Sequence, residues 1–209
     1  MGRGSSKAGG VGKFGGGMEN SNTSTTVRNA KPLTEQISKG GGAFANEIMN
    51  TRDAMEAEYG SAVTDMKLYT ATFGDPTVLG AYGDDTLYMA SKYVKNKNLT
   101  EAMKNAEKSG FHPSIGSKTG AEAVASHEIG HRLGEKAAKK AGISEKDIVA
   151  KAAGKVNIKT ENMAGHISKY ARSNYGETIA EASADVFCNG KKASKASIAI
   201  MNEVKAILR

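Results

Sequence analysis

Cysteine is almost missing from this 209-residue chain, where Cys188 stands alone. A single thiol excludes an intrachain disulfide and a zinc finger built on cysteines, so any metal must sit on histidine and carboxylate. Histidine is scarce too, with four in the whole chain. No apolar run approaches the roughly 18 residues that suggest a membrane span. The opening MGRGSSKAGGVGKFGGG has no apolar stretch, so it is not expected to be a secretory signal peptide. A membrane partner is therefore not expected.

The net charge of +7 invites a nucleic-acid reading, but its distribution weakens that idea. Residues 1–43 carry six basic side chains (Arg3, Lys7, Lys13, Arg28, Lys31 and Lys39) against Glu19 and Glu35. That surplus of four leaves only three for residues 44–209. A basic tail can hold phosphates without specificity. A solvated arm is the simpler expectation, and nucleic acid is not the expected partner.

Eight of the first seventeen residues are glycine, and Ser, Asn and Thr follow through Thr26. Such a stretch buries too little apolar surface to offset its ordering entropy. Residues 1–42 thus read as a flexible arm with a short helical piece around 33–38, and residues 43–209 as one domain. Phe44 to Tyr59 has helical periodicity through Phe44, Ile48, Met55 and Tyr59. The middle changes character. Met66 to Phe73, Thr77 to Tyr82 and Thr86 to Ala90 are rich in β-formers and separated by Gly74-Asp75-Pro76 and Gly83-Asp84-Asp85. They predict a small antiparallel sheet, with Thr86–Ala90 a possible edge for an extended peptide. From Leu99 on, helices are expected over 99–108, 119–140, 144–153, 177–188 and 193–208, the third opened by a weak capping box at Ser144 and Asp147. The fold class is α+β, with a small antiparallel sheet packed on a helical core.

On the second of those helices stands His127-Glu128-Ile129-Gly130-His131. Residues i and i+4 share a helical face, so both imidazoles can reach one ion. Zinc on three protein ligands keeps an open position where a water becomes acidic, and a carboxylate beside it can take the proton. The pattern therefore specifies a zinc hydrolase centre with His127 and His131 as ligands and Glu128 as general base. Val124, Ile129 and Leu133 can bury the helix while the histidines face a cleft. A third ligand is still needed. Asn174 to Asp185 offers Glu177, Glu181 and Asp185 at four-residue spacing. Two registers fit: Glu177 binding with Glu181 behind it, or Glu181 binding with Asp185 behind it, the second carboxylate orienting a ligand histidine.

The segment from Ile167 to Ala182 resembles the end of the anthrax-lethal-factor-like zinc metallopeptidase domain. In that family an HExxH helix precedes a tyrosine-containing loop and then an E-x-x-A-E helix. The resemblance covers residues 119 to about 189. It implies a zincin-like core, Zn2+ on His127, His131 and Glu177, Glu128 as base and Glu181 behind the ligands. Tyr170 falls where the family places an oxyanion donor, which favours the first register. Tyr175 competes for that role, and core packing is Tyr170's alternative.

The remaining candidates are weaker. His112 reads as a loop residue outside the site, His166 as exposed or capping, and Cys188 as a small hydrophobe. The expected activity is zinc-dependent hydrolysis of a protein or peptide substrate. The resemblance also suggests a prophage or mobile-element setting, in the bacterial cytoplasm or on a virion. The alternative is a zinc-stabilised structural or interaction protein of such an element, binding nucleic acid through the arm and the Lys191-Lys192-Ala193-Ser194-Lys195 cluster. Nothing in the sequence fixes the oligomeric state.

Overall fold

The computed structural model describes residues 13–15, 26–95 and 98–209. These form a mixed α/β structure, dominated by helices, with a small mixed sheet. The strands are β1 (Lys13–Gly15), β2 (Val27–Pro32), β3 (Lys67–Phe73), β4 (Val78–Gly83) and β5 (Thr86–Ala90). Their order across the sheet is β1-β4-β5-β3-β2, four strands with the three-residue β1 added at one edge. The helices are α1 (Gly42–Tyr59), α2 (Asn98–Lys108), α3 (Gly120–Ala141), α4 (Glu145–Val156), α5 (Tyr175–Asn189) and α6 (Lys195–Leu208).

The local expectations fit closely, because helix periodicity and capping are written in neighbouring residues. Thr119 opens α3 with a reciprocal capping box to Glu122, and Ser144 opens α4 with one to Asp147. Gly142 closes α3 in the left-handed conformation, at φ 64°.

The sheet corrects the antiparallel expectation. β4 and β5 do form an antiparallel hairpin, and Asp84 and Asp85 both adopt positive φ in its two-residue turn. β3, however, pairs with β5 in parallel, from Lys67 opposite Thr86 to Ala71 opposite Ala90. The turn at Gly74-Asp75-Pro76 therefore carries the chain past β5 instead of closing a hairpin. β5 is consequently an interior strand, paired on both sides, and offers no edge to a peptide.

The arm is corrected as well where the structure describes it. Residues 27–32 pair antiparallel with β3, Leu33 is 1% exposed in the core, and residues 33–41 form short helical turns leading into α1. Val27 and Leu33 supply the apolar anchors that composition alone hid. The rest of the expected arm, residues 1–12 and 16–25, lies outside the described residues.

The main core joins α1, α3, α4 and α6 to the inner face of the sheet through Ile48, Leu79, Leu87, Met89, Ile129, Leu133, Ile148 and Ile200. A second, smaller cluster of Ala71, Phe73, Val78, Ala81 and Ala90 lies on another part of the sheet. Among the described residues, no helix is long and apolar enough to cross a membrane.

Candidate metal centre

α3 is the spine of the candidate site. Val124, Ile129 and Leu133 are fully buried in the core. The helix turns its other side to α5, and the approach is close because position 130 is glycine. A Cβ there would stand 2.6 Å from Ser183 Cβ and 2.8 Å from Ala180 Cα, inside contact distance of the neighbouring helix. Ser183 Oγ adds a 2.8 Å hydrogen bond to the Ser126 carbonyl. α5 starts at Asn174, whose side chain accepts from the Glu177 N–H at 2.8 Å and so sets Glu177 in the first turn.

This crossing brings His127, His131 and Glu177 together, one ligand atom from each lying within 4.8 Å of the others. Glu177 Oε2 is 3.2 Å from His127 Nε2 and 3.4 Å from His131 Nε2. A tetrahedral ion with bonds of about 2.05 Å spaces its ligands by about 3.3 Å, so the separations suit a shared cation. His131 Nε2 and Glu177 Oε2 are buried and make no hydrogen bond among the described residues. Buried polar atoms left so are costly. Two imidazole nitrogens and a carboxylate oxygen form a donor set that a divalent metal can satisfy.

The electrostatics agree. Burial works against charge on His127 and His131, yet Glu177, with Glu181 beside His127, raises both above the ordinary imidazole value. Burial also works against ionised Glu177, but His131 and His127 hold it well below the usual carboxylate range. The centre thus favours positive charge, which protons supply alone and a bound cation would supply by displacing them.

Glu128 lies beside this set under β4. It is fully buried, and neither carboxylate oxygen has a hydrogen-bond partner among the described residues. A Cβ on Gly80 of β4 would come within 3.0 Å of Glu128 Oε1, so glycine there makes room for the carboxylate. Burial first, then the charges of Glu177 and Glu181, raise its pKa well above normal, with His131 opposing. A buried carboxylate with a raised pKa is suited to holding and passing a proton.

Glu181 stands behind the ligands. Its Oε1 is 2.9 Å from His127 Nδ1, while Oε2 accepts from Ser168 Oγ at 2.6 Å. Burial opposes its charge, but His112 and His127 hold its pKa down to about 2. Asp185 takes no part. It accepts from Asn189 Nδ2, the Ser194 N–H and Ser197 Oγ, which ties the end of α5 to the start of α6. Of the two registers, the geometry gathers Glu177 with the histidines and leaves Glu181 behind.

Tyr170 reaches the site through its hydroxyl, which donates to Glu177 Oε1 at 3.2 Å. Burial, followed by the charges of Glu177 and Glu128, pushes its phenol far above the ordinary value, so it remains a donor. Tyr175 instead lines a separate surface cleft of about 610 Å³, with Arg172, Asn174 and exposed His166. Cys188 is half-buried, and burial pushes its thiol up to about 12, which suits a packing role.

Two side chains near the site were not read from sequence as functional. His112 is a loop residue as expected, but it is 2% exposed and not outside the site: its Nδ1 is 3.1 Å from Glu181 Oε1. No local pattern marks it, because its partner is 69 positions away. Arg132, next to His131, is 3% exposed. It donates to the carbonyls of Ala62 at 2.7 Å and Thr64 at 2.8 Å, and pairs with Asp85, fastening α3 to the β4–β5 turn. A charged residue inside an otherwise buried helical stretch was the available signal for it.

Compared with protein-family models, curated proteins and solved structures, the chain matches none.

Proposed function

We propose that this chain is a zinc-dependent peptide-bond hydrolase with a zincin-like core. His127, His131 and Glu177 would hold Zn2+. The observation that carries the reading is the convergence of the three ligand atoms beside a buried carboxylate, Glu128, that has no hydrogen-bond partner among the described residues. A metal staple needs only the ligands and gains nothing from Glu128, whose burial without a partner is costly. That cost makes sense if Glu128 handles a proton, and it favours an enzyme over a purely structural zinc protein.

A bound zinc supplies Lewis acidity, which polarises a carbonyl and makes a water more acidic. The chain's own groups would do the rest. Glu128 takes the proton from the attacking water and returns it to the leaving amine. Tyr170 would keep its proton and turn its hydroxyl from Glu177 toward negative charge developing on the substrate, an effect of about 3 kcal/mol in comparable oxyanion sites. Glu181 Oε1, 2.9 Å from His127 Nδ1, would hold the proton on that nitrogen and turn Nε2 toward Glu177 and the metal position. The substrate is a protein or peptide, and the prophage or mobile-element setting belongs to the same proposal through the lethal-factor-like resemblance.

Elemental analysis of purified protein tests the centre. One zinc per chain is expected, lost in Glu177→Ala and weakened in Glu181→Ala, with folding checked by circular dichroism. Cleavage of a peptide library by the zinc-loaded protein, abolished in Glu128→Gln, is the expected activity. A folded wild type that takes up no zinc on reconstitution overturns the reading.

A further inference from the structure

The geometry points to His112 as a positioning residue that braces two members of the site at once: His127 through Glu181, and Tyr170 through ring packing. The inference rests on the metal-site reading above, and nothing in the HExxH or E-x-x-A-E patterns contains this residue.

The first arm is a shared oxygen. Glu181 Oε1 lies 2.9 Å from His127 Nδ1 and 3.1 Å from His112 Nδ1. The other oxygen, Oε2, receives the Ser168 hydroxyl at 2.6 Å. An ionised carboxylate can only accept, so each imidazole must present an N–H to it. Two ring N–H groups then fill the two lone-pair directions of Oε1. The terminal torsion of a glutamate is soft, with no sharply preferred angle. A carboxylate held by His127 and Ser168 alone could swivel and let the His127 ring turn with it. With His112 on the same oxygen, the carboxylate plane is fixed. His127 then keeps its proton on Nδ1, and Nε2 faces Glu177.

The second arm is packing. The His112 ring meets the Tyr170 ring edge-on, with centroids 5.3 Å apart, and Phe111 closes on both at 4.9 and 5.3 Å. The two loops are also joined through their backbones. The Lys169 N–H donates to the Gly110 carbonyl at 2.9 Å, and the Tyr170 N–H to the Phe111 carbonyl at 3.1 Å. The loop ahead of α3 thereby sets where the Tyr170 hydroxyl meets Glu177.

Two substitutions isolate the first arm, the shared oxygen, from the ring packing. His112→Phe keeps a ring against Tyr170 and removes the donor. His112→Asn places an amide nitrogen where Nδ1 stood and removes the ring. Zinc affinity is measured by competition with a chromogenic chelator, and the His127 Nδ1 proton by NMR of the metal-free protein. His112→Phe should weaken zinc binding by about 10- to 100-fold, the usual cost of losing an outer partner of a metal-binding histidine, and should lose the ring N–H resonance to solvent exchange. His112→Asn should keep both. The inference is overturned if the Phe variant binds zinc like wild type and retains the resonance, or if the Asn variant is as weak as the Phe variant. Should His112→Phe not fold, His112→Ala is compared with His112→Asn in its place. A wild type that binds no zinc defeats the metal reading, and the resonance in the same variants still decides whether His112 positions His127.

Discussion

At the α3–α5 crossing, His112, His127, Glu128, His131, Glu177 and Glu181 are all at most 5% exposed. At similar depth on the sheet stand Leu79, Tyr82, Leu87 and Met89, also at most 2% exposed. One region fills its interior with ionisable groups, the other with hydrocarbon and one phenol. Burying apolar surface is favourable by itself, whereas burying charge is costly unless partners or a metal meet it. The sheet should therefore have the same strength with or without a ligand. The crossing should gain stability from a cation and be sensitive to anything that separates its helices.

The largest effect should come from the sheet and be indifferent to metal. Leu87→Ala removes a fully buried side chain and should cost about 2–5 kcal/mol of unfolding free energy. Urea titration should give the same loss in zinc and in chelator. Unequal losses would mean that the two regions are coupled more tightly than their contents suggest.

Zinc should act on the crossing alone. At about 100 times its dissociation constant, it should raise the wild type's stability by about 2.7 kcal/mol through mass action. The increment should persist in Leu87→Ala and vanish in Glu177→Ala. Gly130→Ala tests the crossing from its packing side, since the new methyl would meet α5 at 2.6 Å. A loss of about 2 kcal/mol is expected from overpacking, accompanied by weaker zinc binding. Gly154→Ala is the control, because a Cβ at Gly154 on α4 has nothing within 4 Å.

The two regions also differ in how much their sequences disclose. Both histidines and Glu128 sit within five consecutive residues, so helix geometry alone places them together. The expected span of 119–140 agrees with Gly120–Ala141 to one residue. Glu177 and Glu181 need a second helix, and spacing leaves two registers open, one with Asp185 as the carboxylate behind the ligand; only the long-range geometry sends Asp185 to α6 and Glu181 to His127. Strand positions were just as local, and Thr86–Ala90 was placed to the residue. Pairing was not local. Alternation marks a strand without naming its neighbour, so the parallel β3–β5 ladder was not visible. His112 shows the same limit for a single side chain in a loop, whose meaning depends on Glu181, 69 positions away on α5.

The smallest prediction concerns the seam where the regions join. Asp85, in the β4–β5 turn, pairs with Arg132 of α3 and lies 3.4 Å from Lys136. Desolvation opposes its charge, but Arg132 and Lys136 together outweigh it and lower its pKa from 3.8. Because the folded value lies below the unfolded one, the pair adds stability above about pH 4, near the unfolded carboxylate value, and that contribution fades as pH falls through the lowered one. Asp85 is 54% exposed on its side chain, so solvent screening holds the contribution below about 1 kcal/mol. Asp85→Asn removes the charge while keeping a residue that tolerates positive φ. Its loss of stability should therefore be present at pH 7 and shrink toward zero near pH 3. Zinc affinity at pH 7 should be unchanged, since Arg132 keeps its bonds to Ala62 and Thr64. If Asp85→Asn weakened zinc binding, the seam would be transmitting strain from the turn to His131, and the separation between the polar crossing and the apolar sheet would not hold.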